Sequence, residues 1–335
     1  MKKHTEKLLV GFLEASMLAG CSSGKTITLD LSTGKQEGTY TGDMSDDIPN
    51  GKGKFSAKEA KGESWTYEGD FKDGHFDGDG TITYSNGTKE IGTFKDDQIV
   101  PMTGDQIKDL ASDTDKFVDH VISSKGLVFT DPTLSDDQYF VQIDPIQNDA
   151  VNQSSPYWLY VDTKDLDPKT NDYIEYTGIV KGTGTGDNAF GTELSAPEIS
   201  VTEYKKIDYA QALAPAKESK EVNQTIEEQG LKVTLEKIEF ADKETRFYLT
   251  AINNSNAKID LSIYDAEALQ DGHQFETQDN YEANYPQLSY RILPGAKTSG
   301  VLVFPPLKNE ALSLVIDAYS EDYTITMNPI TFDVK

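Results

Sequence analysis

The chain of 335 residues carries 31 Lys and Arg against 57 Asp and Glu, a formal net charge of −26. Nucleic-acid affinity rests on Lys and Arg displacing counterions from phosphates, so this surface excludes a nucleic-acid partner as an expectation. Hydrophobic residues make up 36% of the chain, with 17 Tyr and 14 Phe, too apolar and aromatic for a wholly disordered protein. The length suggests roughly two or three domains. Recurrent alternating runs of Tyr, Thr, Ile and Val predict a mainly β fold.

At the N-terminus Lys2, Lys3 and Lys7 precede an apolar stretch from Leu8, and Leu18-Ala19-Gly20 precede the one cysteine, Cys21. A basic start, a short apolar segment and small residues before a cleavage point predict a secretory signal peptide over residues 1–20. It is too short to be a transmembrane span. A lone cysteine in a secreted chain forms no internal disulfide and needs another explanation. Leu18-Ala19-Gly20-Cys21 resembles the lipobox of bacterial lipoproteins. That resemblance implies cleavage between Gly20 and Cys21, diacylglycerol on the Cys21 thiol, acylation or exposure of the new amino terminus, and anchoring to the extracellular face of the cell membrane. Two acyl chains hold a protein stably where one is marginal. Glu14 departs from the pattern, because a carboxylate inside the apolar stretch costs about 2.5–3.5 kcal/mol on insertion scales. Residues 21–37, opening on Ser22-Ser23-Gly24-Lys25, are expected to form a flexible tether.

Residues 38–100 repeat. Tyr67-Glu68-Gly69-Asp70-Phe71 leads into Asp77-Gly78-Asp79-Gly80-Thr81-Ile82. An earlier copy reads Tyr40-Thr41-Gly42-Asp43-Met44, then Gly51-Lys52-Gly53, and a truncated third reads Ile91-Gly92-Thr93-Phe94. The pattern resembles the MORN repeat, a β-hairpin of the form Tyr-x-Gly-x-aromatic followed by Gly-x-Gly. Tyr67 and Phe71 are an even number of residues apart and are expected on one strand face. Gly78 and Gly80 are expected to permit positive φ and close approach of neighbouring rungs. Stacked hairpins would bury an aromatic ladder that no single repeat could bury alone. MORN resemblance implies either lipid binding or a structural spacer, and the spacer is the expectation here. Asp70, Asp73, Asp77 and Asp79 are the candidate metal ligands, for calcium. Their run lacks the bidentate acid and flanking helices of an EF-hand, so neither a metal nor another cofactor is expected.

Over residues 101–212, Ile107, Leu110 and Ala111 followed by Phe117, Val118, Val121 and Ile122 predict a helix over 105–124. Strands are expected over 126–130, 138–144, 157–161, 173–182 and 199–204, which suggests a small Greek-key barrel with a preceding helix. Asp172–Val180 and Ala196–Val201 resemble the OB-like domains of Gram-positive lipoproteins. Its aromatics lie among Asp and Glu rather than Lys and Arg, which again argues against nucleic acid. Residues 213–222, with Pro215 and mixed charge, are expected to be a linker. Seven short strands with turn signals over 223–335 predict a β-sandwich. Arg246–Asn254, Leu293-Pro294-Gly295 and Gly300–Phe304 resemble the immunoglobulin-like domain of unassigned function found in Gram-positive surface lipoproteins.

No catalytic residue is expected. The four His, at 4, 75, 120 and 273, share no metal-ligand spacing, and no His-Glu-x-x-His, Gly-x-Ser-x-Gly or Ser-x-x-Lys occurs. The expectation is a membrane-anchored extracytoplasmic lipoprotein that acts as a binding or adhesion module, with the membrane and a protein or cell-envelope component as partners. The alternative is a structural or sensory accessory subunit of a cell-envelope complex.

Overall fold

Two units, divided after Val100, make up the chain. The computed structural model describes residues 24–58, 64–135, 138–162, 168–187, 191–321 and 325–335. The expected signal peptide, Glu14 and Cys21 lie outside the described residues. The fold is mainly β, with 63% strand and 5% helix among the described residues.

The first unit is one antiparallel sheet whose strands follow chain order. They are β1 (Lys25–Leu31), β2 (Gly34–Ser45), β3 (Ile48–Lys58), β4 (Ser64–Lys72), β5 (His75–Tyr84), β6 (Lys89–Lys95) and β7 (Gln98–Val100). The tether expected over 21–37 is therefore corrected from residue 25 onward. Ile27, Leu29 and Leu31 alternate with polar residues, and pairing of β1 with β2 turns Leu29 and Leu31 into the core. Three turns are two-residue loops, Asp46-Asp47, Asp73-Gly74 and Asp96-Asp97, with both residues at positive φ. That conformation matches the twist of the flanking strands, and Asp tolerates it because its short side chain bonds locally.

Glycines line up across this sheet. Gly42 faces Gly53, Gly53 faces Gly69, Gly69 faces Gly80, and Gly80 faces Gly92. Tyr40 and Tyr67 lie over this row, and their hydroxyls donate to the Asp43 and Asp70 carbonyls at 2.5 and 2.8 Å. A Cβ on Gly80 would stand 2.5 Å from the Tyr67 ring. Around these tyrosines the ladder is dense: Tyr67 stacks on Phe76 at 3.9 Å and meets Phe71 and Phe94 edge-on at 5.1 and 5.0 Å. Tyr67 and Phe71 meet as expected, although a register shift between Gly69 and Phe71 interrupts the simple alternation. Of the two glycines singled out, Gly78 has positive φ, and Gly80 provides the close approach.

In the second unit, five strands close into a barrel. They are β8 (Val121–Val128), β10 (Gln138–Gln147), β12 (Tyr157–Val161), β13 (Tyr173–Asp187) and β14 (Glu193–Ile207), with the short β9 (Thr133–Ser135) and β11 (Ala150–Val151) attached to β10. Strand β8 pairs with both β10 and β13, which closes the ring, and β12 runs parallel to β14. The helix expected over 105–124 is replaced by 3-10 turns at Gly104–Ile107 and Thr114–Phe117, then by the start of β8. Ser112 and Thr114 bond back to the Asp109 and Leu110 carbonyls, competing with helix propagation. The β-branched Val121 and Ile122 are captured by pairing with β13. Ile107, Leu110 and Phe117 still join the barrel core, so the apolar signal is sound and its period is not.

The C-terminal part stacks two four-stranded sheets around one core. The first holds β15 (Ala216–Glu228), β16 (Leu231–Ala241), β17 (Thr245–Asn253) and β22 (Lys297–Phe304). The second holds β19 (Glu267–Gln270), β20 (His273–Glu276), β23 (Leu312–Ile316) and β25 (Ile330–Val334). A small third sheet joins β18 (Ile259–Leu261), β21 (Arg291–Ile292) and β24 (Ala318–Ser320). Val233, Phe247 and Phe304 from the first sheet meet Leu314 and Phe332 from the second in one buried cluster. The linker expected over 213–222 is corrected: from Ala216 it is β15, an edge strand whose Lys and Glu side chains guard against unwanted pairing. Before it, α1 (Tyr209–Leu213) is capped reciprocally by Asp208 and Gln211. Arg246, 1% exposed, donates to the Ala214 carbonyl, Glu244 and Glu239, and so ties the end of α1 to the sandwich.

Truncation of Tyr67 to Ala is expected to lower stability by about 3–5 kcal/mol. Tyr67→Phe removes only the hydroxyl bond and is expected to cost about 1 kcal/mol. Gly80→Ala, by crowding the Tyr67 ring, should fall between these two. Denaturant midpoints of the three variants check this ordering.

Candidate functional site

The four candidate metal ligands do not converge. Asp70 accepts from the Lys52 ammonium at 2.8 Å and from the Asp79 backbone N–H at 3.2 Å. Asp43 makes the equivalent bond to the Lys52 backbone N–H in the preceding repeat, so this Asp closes the bend of each hairpin. Asp73 supplies a left-handed turn residue. Asp77 pairs with Lys95 at 2.6 Å, and Asp79 accepts from the Thr93 hydroxyl at 2.9 Å. Among the described residues no group of three or more His, Cys, Asp or Glu side chains is placed to hold a metal ion.

A different site stands out in the first unit. It is a cavity of about 340 Å³, at the lower end of the range of roughly 300–1,000 Å³ typical of small-ligand clefts. Trp65 and Phe76 form two of its surfaces, with ring planes 82° apart and centroids 6.1 Å apart. Leu31, Ile82 and Tyr84 add to the wall, and Thr33, Gln36 and Asp97 supply polar groups. The topology explains the position. Trp65 pairs directly with Tyr84, and Tyr67 with Ile82, so all four share one face of the sheet. Tyr67 is fully buried in the ladder, while Trp65 and Tyr84 are only half-buried. The ladder thus ends in aromatic surface that is still open to solvent.

Asp97 fixes the polar side. Its carboxylate accepts from the backbone N–H groups of Ser32 and Phe76, both at 2.8 Å, and lies 2.8 Å from His75 Nδ1. It therefore joins the β1–β2 turn to β5 and the β6–β7 turn. The His75 imidazole is held above its ordinary value of 6.5, first by the hydrogen bond to Asp97 and then by the charges of Asp97, Asp96 and Asp30, against opposing burial.

None of Gln36, Trp65, Phe76, Tyr84 and Asp97 stands out as a site residue in sequence. The available signal is Trp65, two residues from the repeat tyrosine and hence on the same strand face. Nothing in sequence indicates that Asp97, in a turn, lies against the distant Ser32.

The MORN repeat family model matches residues 40–58 and 67–89, the hairpins that carry Tyr40 and Tyr67. The protein is thus a mainly β chain containing MORN repeats. No curated protein matches it. A solved structure described as the conserved domain protein from Bacillus anthracis shares 12% identity, over 83% of this chain and 89% of that one, with a TM-score of 0.25. The secreted serine protease VesC from Vibrio cholerae shares 9% identity, over 89% of this chain and 65% of that one, with a TM-score of 0.22. Likenesses this weak carry no argument about fold or function.

Two outcomes are expected. A raised imidazole value means the fold favours the protonated ring. That contribution is complete below about pH 6.5 and fades as pH rises through the higher folded-state value. With His75 43% exposed, solvent screening keeps it below about 1 kcal/mol. Thermal midpoints measured across this range should fall more in the parent than in His75→Gln. Micromolar calcium at fixed ionic strength should leave the midpoint unchanged, because only a ligand preferring the folded state raises it. A saturable rise that Asp77→Asn abolished would restore the calcium site.

Proposed function

We propose that the chain is a non-enzymatic extracytoplasmic binding module, anchored to the outer face of the cell membrane by lipid on Cys21, with the cavity beside Trp65 as its ligand site. The observation that carries the reading is the half-open end of the aromatic ladder, where Trp65, Phe76 and Tyr84 meet a few polar groups in one cleft. MORN repeats often mediate binding or membrane association, in keeping with this use of the unit. Leu18-Ala19-Gly20-Cys21 supports the anchor. No helix among the described residues is long and apolar enough to cross a membrane.

The strand order of the barrel, with its parallel β12–β14 pair, supports an OB-like reading of residues 101–212. The two stacked sheets support an immunoglobulin-like reading of the C-terminal part, as in Gram-positive surface lipoproteins. A second reading, an accessory subunit of a cell-envelope complex, is favoured by Tyr264, Tyr281 and Tyr290, which are 64%, 87% and 51% exposed on the C-terminal part. Tyrosine is enriched at protein interfaces because it combines a large apolar body with a polar tip.

Cell fractionation tests the anchor: the parent should sediment with membranes, and Cys21→Ala should appear in the medium or stay unprocessed. Recovery of Cys21→Ala with membranes at the mature mass would overturn the anchor. Retention on isolated cell envelopes tests the cavity, using the soluble Cys21→Ala chain with and without Trp65→Ala. Equal retention of the two would remove the cavity from the reading.

A further inference from the structure

We propose that the cavity beside Trp65 takes an organic ammonium cation of the quaternary or alkylated class, held against the half-buried rings of Trp65 and Tyr84. This inference rests on reading the cavity as a ligand site and names what it would accept.

Three observations lead to this class. The first is ring geometry. Trp65 and Tyr84 lie directly across the hairpin from each other and stay half-buried, while the buried Phe76 stands nearly perpendicular to Trp65 and backs the cavity. Aromatic faces attract a cation within about 6 Å of the centroid, so two neighbouring rings left open to solvent suit a compact cation. Alkylated ammonium suits such walls because its methyl groups are apolar while its charge is diffuse.

The second is the charge of the lining. The cavity is lined by one carboxylate, Asp97, and by no Lys or Arg among the described residues. Lys25, Lys52, Lys54 and Lys95 pair with Asp47, Asp70, Glu68 and Asp77 at other positions on the sheet. Asp97 holds the His75 imidazole above its ordinary value first by its hydrogen bond, and Asp97, Asp96 and Asp30 then do so by charge. An anionic ligand would find no Lys or Arg in the described lining to receive it.

The third is polar supply. A neutral saccharide needs several converging hydrogen-bond groups. Asp97 already accepts from Ser32, Phe76 and His75, so beyond the Tyr84 hydroxyl the described lining offers the Gln36 amide and the Thr33 hydroxyl. A cation needs only field and ring faces.

The chain has two Trp, so Trp158→Phe in the full-length protein leaves Trp65 as the fluorescent reporter. Choline should change Trp65 fluorescence saturably. Its uncharged isostere 3,3-dimethyl-1-butanol should bind at least about tenfold more weakly, equivalent to about 1.4 kcal/mol. Gln36→Lys, which sets a like charge at the polar edge without altering the ladder, should weaken choline by a similar factor at an unchanged thermal midpoint. Displacement of choline by phosphatidylcholine vesicles would support the proposal with a lipid headgroup as the source. Saturable choline binding without displacement would support it with a soluble source. Equal binding of choline and its isostere, or no effect of Gln36→Lys, would overturn it. A response to N-acetylglucosamine but not to choline would overturn the cation and leave the cavity as a binding site. Silence of Trp65 toward every probe, together with equal envelope retention of Trp65→Ala, would overturn both readings.

Discussion

The repeat unit depends on one steric constraint: a tyrosine ring must lie flat over backbone that carries no side chain. Gly53 faces the Tyr40 ring and Gly80 faces the Tyr67 ring, and a methyl group at either position would occupy the ring's own space. Because these glycines fall in register across the sheet, the rings can sink between strands and reach Phe71, Phe76 and Phe94. Packing of that density is worth several kcal/mol per ring and offsets the entropy of ordering so glycine-rich a chain. The tyrosine hydroxyls, which would otherwise be buried without partners, are satisfied by carbonyls three residues on.

The acidic composition has a second meaning once the turns are visible. Asp46, Asp47, Asp73, Asp96 and Asp97 all sit at positive φ, and Asp43 and Asp70 close the bends behind their tyrosines. In this unit carboxylates are turn formers first and charges second. The ion pairs to Lys52 and Lys95 are exposed and contribute little each. Burial of charge is handled differently in the second unit. Arg246 is nearly inaccessible, and Glu239, Glu244 and the Ala214 carbonyl all accept from it. Tyr285 donates its hydroxyl to Glu244, completing the set. Such a cluster is strongly destabilising to break, which makes it a fixed joint between α1 and the sandwich.

The cavity follows from the same ladder that stabilises the repeats. A stack of hairpins buries each ring against the next, and at its end the cross-strand pair of Trp65 and Tyr84 stays half-buried. The turn after β1 approaches that end and is held there by Asp97. Ladder packing and cavity lining therefore share residues: Phe76 packs on Tyr67 with one face and contributes to the cavity lining.

The sequence by itself determined the hairpin repeats, the strands of the barrel and much of the C-terminal sheets, because these rest on local alternation and on turn residues whose backbone preferences act over a few positions. It also placed Tyr67 and Phe71 together. Other features were decided by tertiary structure alone. Residues 216–222 read as a linker because this edge strand carries polar side chains, and its partner makes it a strand. Strand β1, by contrast, does carry an alternating Ile27, Leu29 and Leu31, whose burial only pairing with β2 makes plain. The segment around Val121 has an apolar period suited to a helix, yet pairing with β13 gives its backbone and β-branched side chains a better partner. Asp70, Asp73, Asp77 and Asp79 are close in sequence but are held in different local arrangements. Conversely, Leu31, Trp65, Tyr84 and Asp97 are distant in sequence and share one cavity. Proximity of that kind is created by strand register across a whole sheet, which a local pattern does not encode.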